Sequence, residues 1–385
     1  GILCHLDVVH EGTGWTTLPY EMVIKDDKIY GRGTADNKGP AVASLYAMKC
    51  VRELGIPLSK NVRLMLGTDE ESGSNDLKEY FKWQSPPNYC FSPDAAFPVY
   101  NIEKGRFAPI ISASFTEDKS LPRIVSIEGG HAVNIVPAQA TAVIQGIEFK
   151  SLVECLEKYE EKTGVIFTAK ENDDFIIIEA EGVSTHASYP EDGNNALTAI
   201  IELLVNMPFY KSKGFLKLQA LNSLLPHGDW LGQNVGIKMS DGLSGPLTCN
   251  LGIFKYSPTC FDGWIDIRSP LCSNENNTSK VMESVCSKHG LKLSTTDMLL
   301  PHHVPEESPF IKTLLRAYEE YTGMEGECIS MGGGTYVHGI PNSVAFGASY
   351  PDTETYAHAA DEYTVIEEIA NCVKIFSQVI TEMCK

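Results

Sequence analysis

The two ends of the chain share one pattern, in which short apolar segments alternate with amphipathic stretches of helical period. Short apolar runs bounded by turn residues are typical of buried strands, and they occupy residues 1–9, 61–67 and 343–346. Amphipathic stretches predict helices over residues 38–54, 75–84, 309–322 and 364–383. This alternation predicts an α/β fold, with a mixed twisted sheet and flanking helices.

The middle of the chain has a different pattern, in which segments of alternating apolar and polar residues, typical of strands, dominate. Strands are predicted over residues 123–128, 140–149, 251–253 and 263–268, and helices over 151–163 and 195–204. This change predicts an α+β domain over residues 106–300, inserted into an α/β domain made of residues 1–105 and 301–385.

Polar side chains with metal-binding chemistry follow the predicted strands where each strand runs into a glycine-rich turn. They are His5 and Asp7 in HLDVV, Asp36 in GRGTADNKGP, and Glu70 and Glu71 in GTDEESG. Because α/β sheets present their chemistry at the carboxyl ends of strands, this pattern predicts half of a two-metal hydrolase site. His5 and Asp7 would share one strand face roughly 6.5 Å apart, so His5 can bind a metal while Asp7 orients a neighbouring ligand.

These residues also have structural interpretations. A lone histidine on a strand is commonly structural, Asp36 could cap the following helix, and Asp94 lies in an ordinary Ser-Pro-Asp turn. The adjacent glutamates are harder to explain without a ligand, because burying two neighbouring carboxylates is costly unless a cation compensates them.

Composition excludes several other classes of function. The formal net charge of -19 repels phosphate backbones and anionic membranes, so neither nucleic acid nor a membrane surface is an expected partner. No apolar run reaches the roughly 18 residues that a membrane-spanning helix needs. The 11 cysteines form no CxxC pair, and free thiols in a reducing cytoplasm are the interpretation that this spacing favours.

Eight motifs in order carry a resemblance to a known family: HLDVV, GRGTADNKGP, GTDEESG, SPDAAFP, GVSTHAS, DIRSP, GGGTY and AHAADEY. Together they resemble the dinuclear zinc dipeptidases of the superfamily that contains aminoacylases, carboxypeptidase G and succinyl-diaminopimelate desuccinylase. The closest likeness is to the monomeric, PepV-like bacterial dipeptidases of the carnosine-cleaving type, which carry a large lid. The resemblance covers essentially the whole chain. It implies a zinc-peptidase catalytic domain, with residues 106–300 as the inserted lid.

The resemblance implies a role for each residue of the metal centre. Asp36 would bridge two Zn²⁺ ions, for which Mn²⁺ or Co²⁺ could substitute, and its peptide bond to Asn37 is often cis in this family. Glu70 would be the general base, and Asp7 would orient the first histidine ligand. The implied metal ligands are His5, Asp36, Glu71, Asp94 and His358.

The resemblance also implies a substrate site. Asn134, His186 and Arg268 would reach from the lid to polarise the scissile carbonyl and bind the substrate carboxylate, while Gly333 and Gly334 would offer backbone contacts. The lid would close through hinges near Arg106 and Pro301.

The leading hypothesis is a cytoplasmic, monomeric metallodipeptidase that cleaves dipeptides or short peptides with a hydroxide held between two zinc ions. A deacylase of N-acyl amino acids or a desuccinylase of the same superfamily is the alternative within the class. A non-catalytic, metal-stabilised peptide-binding module is the alternative from another class, although a structural zinc site does not need a spare base.

Three features depart from the family pattern. Val337-His338 replaces an Ala-Arg pair common after GGGTY, and a substrate-carboxylate contact is expected to differ there. His10 replaces a common proline, a change without expected consequence. The resemblance also leads us to expect about eighty residues before Gly1.

Overall fold

The computed structural model describes residues 1–294 and 297–385. The chain divides into two compact units. The discontinuous unit contains Gly1–Glu103 and His302–Lys385, and the continuous unit contains Lys104–Pro301. Among the described residues, no helix is both long and apolar enough to cross a bilayer.

The first part of the discontinuous unit contains seven strands and two helices. The strands are β1 (Ile2–His5), β2 (Val23–Lys25), β3 (Lys28–Tyr30), β4 (Leu64–Gly67), β5 (Cys90–Ser92), β6 (Ala95–Ala96) and β7 (Val99–Glu103). The helices are α1 (Lys38–Glu53) and α2 (Asn75–Tyr80).

The continuous unit follows with strands and four α-helices. The strands are β8 (Gly105–Phe107), β9 (Ile110–Ser114), β10 (Arg123–Gly129), β11 (Gln139–Gln145), β12 (Ile166–Asn172), β13 (Phe175–Glu181), β14 (Ser240–Asp241), β15 (Gly245–Pro246), β16 (Thr248–Tyr256), β17 (Cys260–Ser269) and β18 (Lys292–Ser294). The helices are α3 (Phe149–Thr163), α4 (Ala196–Val205), α5 (Lys213–Leu224) and α6 (Ser279–Lys288), with a short 3₁₀ helix at Pro190–Asp192.

The chain then completes the discontinuous unit. The strands are β19 (His302–His303), β20 (Cys328–Met331), β21 (Ser343–Ala345), β22 (Ala348–Ser349) and β23 (Tyr363–Val365). The helices are α7 (Pro309–Thr322) and α8 (Ile366–Cys384).

The seven-stranded sheet of the discontinuous unit runs β19-β7-β21-β5-β1-β4, with β20 also paired to β7. Its centre is parallel: β1 pairs in parallel with β4 and β5, and β21 pairs in parallel with β5. The carboxyl ends of β1, β4 and β5 therefore open on the same edge of the sheet. A small sheet, β2-β3-β23, joins the segment before α1 to the segment before α8.

Helix α7 shows how local sequence fixes an element. The Ser308 hydroxyl accepts a hydrogen bond from the backbone N–H of Phe310, Pro309 occupies the first turn, and Gly323 ends the helix at a φ of 70°. Buried apolar residues recur every three or four positions and pack against α8 and β7. They are Phe310, Ile311, Leu314, Ala317 and Tyr318.

The continuous unit is built on an antiparallel sheet of order β12-β13-β11-β10-β16-β17-β9-β18, with β8 also paired to β17. Buried and exposed residues alternate along β11 and β13, so one face of the sheet is covered. Helix α4 packs against β11, β13, β10 and β16, and every residue of this helix is buried.

The structure confirms the predicted α/β class with an α+β insertion, and most predicted elements, but it corrects several boundaries. The strand predicted over 140–149 ends at Gln145, because Gly146 turns at a φ of 84° and Phe149 already begins α3. The helix predicted from residue 364 begins at Ile366, since the preceding residues pair as β23. Helices α5 and α6 were not predicted. All 11 cysteines are free thiols.

Phe97 gives a test of the discontinuous unit's core. Its ring is 1% exposed and lies 5.2 Å from the Tyr318 ring and 5.0 Å from the Phe346 ring, measured between centroids. We expect Phe97→Ala to lower the free energy of unfolding by about 3–5 kcal/mol, because it leaves a cavity. Urea unfolding measures the loss. Trp83→Ala removes a ring that is 83% exposed, and it should change stability by only ~0.5 kcal/mol; equal effects of the two changes would contradict this packing.

Candidate functional site

The three parallel strands bring four of the predicted residues to one edge of the sheet. His5 is the last residue of β1, and its register partner is Gly67, the last residue of β4. Glu70 and Glu71 follow Gly67 by three and four residues, and Asp94 follows β5 by two residues. Because parallel strands end on the same side, these side chains converge without any unusual backbone between them.

Asp36 reaches the same edge from the loop between β3 and α1, and a buried carboxylate holds that loop. Glu362 accepts hydrogen bonds from the backbone N–H groups of Gly33, Ala35 and Asp36, over 2.9–3.1 Å. It also accepts one from Arg32 over 2.6 Å. Glu362 was not singled out from the sequence, although it lies in the AHAADEY motif next to the strand that pairs with β3.

Asn37 connects this loop to both neighbouring strand ends. The Asp36–Asn37 peptide bond is cis, as the resemblance implied. The fully buried Asn37 side chain donates to the carbonyl of Pro93 over 2.7 Å and accepts from the backbone N–H of His5 over 3.3 Å. The residue thus holds the ends of β1 and β5 beside Asp36. The resemblance had implied its cis peptide bond but neither of these two contacts.

The two oxygens of the Asp36 carboxylate face two different histidines. Oδ1 lies 2.9 Å from Nε2 of His5, and Oδ2 lies 2.9 Å from Nε2 of His358. Each histidine nitrogen also faces a second carboxylate: Asp94 Oδ1 lies 3.4 Å from His5, and Glu71 Oε1 lies 3.2 Å from His358. Asp36 therefore stands between two sets of ligand-type atoms.

Hydrogen bonding alone leaves this arrangement incomplete. A histidine Nε2 carries at most one hydrogen, yet each one here faces two carboxylate oxygens. Glu71 Oε1 is buried without a hydrogen-bond partner of good geometry among the described residues. Four-coordinate zinc bonded at about 2.0–2.1 Å separates its ligands by about 3.3 Å, which matches the spacings of 2.9–3.4 Å between these atoms. The residues thus fit divalent cations on both sides of Asp36.

Two overlapping groups show how dense the cluster is. Ligand atoms of His5, Asp36 and Glu71 all lie within 4.8 Å of one another, and so do those of His5, Glu70 and Asp94. Glu70 is thus beside the same centre, as a base on an attacking water must be.

The tautomer of His5 suits a metal ligand. Its Nδ1 lies 2.9 Å from the backbone carbonyl of Asp7, which can only accept, so Nδ1 carries the hydrogen and Nε2 presents a lone pair in the neutral ring. The Asp7 carboxylate lies farther from Nδ1, at 3.4 Å, and accepts a hydrogen bond from the N–H of Glu71 over 3.1 Å. Asp7 therefore contacts His5 mainly through its backbone, and its side chain holds the Glu71 segment.

Without a cation, the charges of the cluster perturb one another strongly. Burial disfavours the charged His5 ring, but hydrogen bonds to Asp36 and Asp94 outweigh it and raise the His5 pKa to about 11. A hydrogen bond to Asp36 is the main cause that raises the His358 pKa to about 10. Burial opposes ionisation of Asp36, yet the two histidines hold its pKa below the usual range. Burial and then the Asp94 charge raise the Glu70 pKa to about 8, and burial raises that of Asp94 to about 6.

The GGGTY loop follows β20 and is tied to the same unit. Gly333 is partly buried and Gly334 is exposed, so their backbone groups are accessible. The Tyr336 hydroxyl donates to Asp76 over 2.7 Å and packs against Gly67, where a Cβ would lie only 2.1 Å from the hydroxyl oxygen. His338, which stands where an arginine is common, instead lies 2.8 Å from the buried Glu103 carboxylate.

The continuous unit brings its own predicted residues together. The backbone carbonyl of Asn134 accepts from Ala187, next to His186, over 2.8 Å. The carbonyl of Ala187 accepts from the Thr248 hydroxyl over 3.1 Å, and Thr248 is the register partner of Arg268 on β17. Asn134, His186 and Arg268 therefore occupy one neighbourhood.

Two details of that neighbourhood define its chemistry. His186 Nδ1 accepts a hydrogen bond from the N–H of Ser188 over 3.2 Å, so the neutral ring carries its hydrogen on Nε2. Arg268 is buried and donates two hydrogen bonds, of 2.6 and 3.0 Å, to the fully buried Asp266. The sequence indicated that Arg268 needs an anionic partner, but it did not identify Asp266.

The fold and this cluster define a candidate hydrolytic metal centre, and comparison with known proteins identifies its family. Residues 1–382 match Peptidase family M20/M25/M40. The chain is 34% identical over 388 residues to "Putative dipeptidase YtjP" of Bacillus subtilis (strain 168), covering 100% of this chain and 83% of the relative. It is 31% identical over 390 residues to a "Putative dipeptidase" of Staphylococcus epidermidis, covering 100% and 82%. The chain belongs to peptidase family M20/M25/M40 and is a hydrolase that acts on peptide bonds.

Solved structures share the fold. Aminoacylhistidine dipeptidase from Vibrio alginolyticus superposes with a TM-score of 0.57 at 15% identity, covering 100% of this chain and 84% of that one. Human carnosine dipeptidase 1 gives a TM-score of 0.54 at 17% identity, covering 100% and 79%. The family indicated by the eight motifs is confirmed by the family match and by these relatives in sequence.

The perturbed cluster predicts how the stability of the metal-free protein depends on pH. The folded histidines keep protons that unfolded histidines release above about 6.5, and folded Glu70 keeps a proton that an unfolded glutamate releases above about 4.3. The folded state therefore binds more protons, so the free energy of unfolding should fall as pH rises from about 5 to 9. Scanning calorimetry with a chelator measures this as a falling Tm.

Added Zn²⁺ should raise the Tm most at the upper end of that range, because cations displace the same protons. His358→Gln should weaken the pH dependence, whereas replacing the exposed His289 by Gln should not. A Tm that is independent of pH and of zinc would contradict this account of the cluster.

Proposed function

We propose that this protein is a metallodipeptidase that hydrolyses the peptide bond of dipeptides, with two divalent cations, Zn²⁺ in the first instance, at the Asp36 cluster. The observation that carries the proposal is the Asp36 carboxylate, whose two oxygens each lie 2.9 Å from a different histidine. Relatives that match the whole chain are named as dipeptidases, which supports a dipeptide substrate.

The protein's side chains divide into two ligand sets that share Asp36. One set would be His5, Asp36 and Asp94, and the other would be His358, Asp36 and Glu71. Three protein ligands for each ion leave a position open, as catalytic zinc requires. When bound, the ions supply Lewis acidity toward the scissile carbonyl and make a water more acidic.

Glu70 is the base in this proposal. It lies in the same cluster yet is not needed in either ligand set. Its carboxylate would take a proton from the attacking water and deliver it to the nitrogen of the leaving amine. Burial favours this role, because a desolvated carboxylate is a stronger base than an exposed one.

The continuous unit would serve as the lid of residues 106–300, and residues 1–105 and 301–385 would form the catalytic domain. The Nε2–H of His186 would donate to the oxyanion that develops on the scissile carbonyl, with Asn134 beside it. Arg268 would bind the substrate carboxylate, and Gly333 and Gly334 would contact the substrate through their backbones. One chain would supply all of these groups, so the active form would be a monomer.

We also infer a cytoplasmic location, since 11 free cysteines suit a reducing compartment.

Replacing Glu70 tests the mechanism. Glu70→Gln keeps the shape of the side chain but cannot take a proton, so kcat for a dipeptide should fall by at least ~100-fold while the bound metal content is unchanged. Elemental analysis and steady-state kinetics measure both. Glu79→Gln, an exposed glutamate of α2 in the same unit, is the matched control and should leave kcat unchanged. Near-normal turnover of Glu70→Gln would refute the role of Glu70.

A substrate panel tests the reaction class. We expect kcat/KM for dipeptides to exceed that for N-acetyl and N-succinyl amino acids of the same C-terminal residue by at least about tenfold. Higher values for the acylated substrates would instead assign a deacylase or desuccinylase. Metal binding without turnover of any of these compounds would leave a non-catalytic binding module.

A further inference from the structure

A second arginine of the continuous unit lies beside Arg268, and nothing in the proposed mechanism uses it. Strand β8 pairs with β17 so that Arg106 is the direct register partner of Arg268. Partners in antiparallel strands project to the same face, and Asp266, two residues from Arg268, shares that face. The Nε atom of Arg106 lies 3.7 Å from Asp266 Oδ2.

Arg106, Arg268 and Asp266 form one group of charged side chains, and their charges do not balance. Arg268 already makes two hydrogen bonds to Asp266, so that buried pair is neutral. Arg106 adds a second guanidinium for which the same carboxylate is the nearest anion, and among the described residues its side chain makes no hydrogen bond. Burial and then repulsion from Arg268 lower the Arg106 pKa, as expected for a cation without full compensation. The group therefore carries one net positive charge. A ligand can reach that charge at Arg106, because the Arg106 side chain is 50% exposed.

The backbone of Arg106 is paired on both sides within the continuous unit. It pairs with β17 on one side, and on the other its N–H and carbonyl each form a 2.9 Å hydrogen bond with Leu299. A guanidinium on a backbone paired in this way loses less entropy on binding a ligand than one on a free loop.

We propose that Arg106 binds the C-terminal carboxylate of the substrate jointly with Arg268, and that Arg106 supplies the net positive charge which that carboxylate requires. The proposal rests on the proposed function, and it adds a substrate-binding residue to it. One carboxylate would neutralise the group of two arginines and Asp266. Thr248, the register partner of Arg268, donates a hydrogen bond to the carbonyl of Ala187, which lies next to His186 and is hydrogen-bonded to Asn134. The two arginines are therefore near the residues that would polarise the carbonyl of a bound dipeptide.

The test compares Ala-Ala with its C-terminal amide, in the wild-type protein and in Arg106→Gln. The wild type should show a KM for the amide at least about tenfold above that for Ala-Ala, because a charge-assisted hydrogen bond is lost. Arg106→Gln should raise the KM for Ala-Ala by a similar factor, leave the KM for the amide nearly unchanged and leave kcat within about threefold. Arg106→Lys should recover part of the affinity, since it retains the charge but not the planar fork.

Lys170→Gln is the matched control. It removes one positive charge from an exposed position of the same unit. Lys170 lies on the edge strand β12, which β13, β11, β10 and β16 separate from β17. It should leave the KM values for both compounds unchanged. If Lys170→Gln acts like Arg106→Gln, overall charge rather than a local contact is responsible, and the proposal is overturned.

Binding separates this proposal from the proposed function. Titration calorimetry with Ala-Ala whose peptide bond is reduced to a methyleneamine measures Kd without turnover. If the wild type binds this analogue more tightly than its amide and Arg106→Gln does not, Arg106 binds the carboxylate whether or not dipeptides are cleaved. An unchanged preference for the carboxylate in Arg106→Gln, or a wild type without that preference, overturns the Arg106 role and leaves the Glu70 experiment to decide the reaction.

Discussion

The structure of the candidate centre is governed by repulsion among four carboxylates that the fold forces together. Asp36, Glu70, Glu71 and Asp94 meet around two histidines, and Glu71 Oε1 is buried with no hydrogen-bond partner of good geometry in the part of the chain that the structure describes. Two protonated imidazoles can neutralise only half of this charge, whereas two divalent cations with neutral imidazoles balance all of it. A cluster of this kind is costly to a protein that binds no metal, so its presence points to function.

The rest of the discontinuous unit holds these carboxylates together against their repulsion, mainly through hydrogen bonds to backbone groups. The parallel strands set the positions of His5, the glutamates and Asp94, and Asn37 holds two of those strand ends together. Glu362 fixes the Asp36 loop by accepting several backbone hydrogen bonds at once. These contacts belong to the folded backbone itself, so the ligand atoms are brought together before any ion binds, and little reorganisation is then needed.

The sequence predicted the parts of this site that obey local rules. An apolar strand followed by a polar residue and a glycine turn identified His5, Asp36 and the glutamates, and the amphipathic period located α7 at its observed bounds. Glu362 was missed because its importance comes from pairing between distant segments, which no local pattern reports. Asp266 was missed although it lies only two residues from Arg268 on the same strand, where the alternation of strand faces could have identified it. The strand predicted over 140–149 was too long because hydrophobic period alone cannot identify where a segment changes from strand to helix. The role of Asp7 was predicted through its side chain, whereas the closer contact to His5 uses its backbone carbonyl.

The two units differ in the charge of their clusters, and under the proposed function this difference matches the two ends of the reaction. The discontinuous unit concentrates anionic groups at the cluster that is proposed to hold the cations. The continuous unit, within a chain of net charge -19, keeps two arginines on one face with a single buried aspartate between them. An acidic protein repels carboxylates at long range, so the proposed substrate carboxylate would have to be recognised at short range. In the proposed arrangement Asp266 neutralises Arg268, and Arg106, opposite Arg268 on β8, adds the further positive charge.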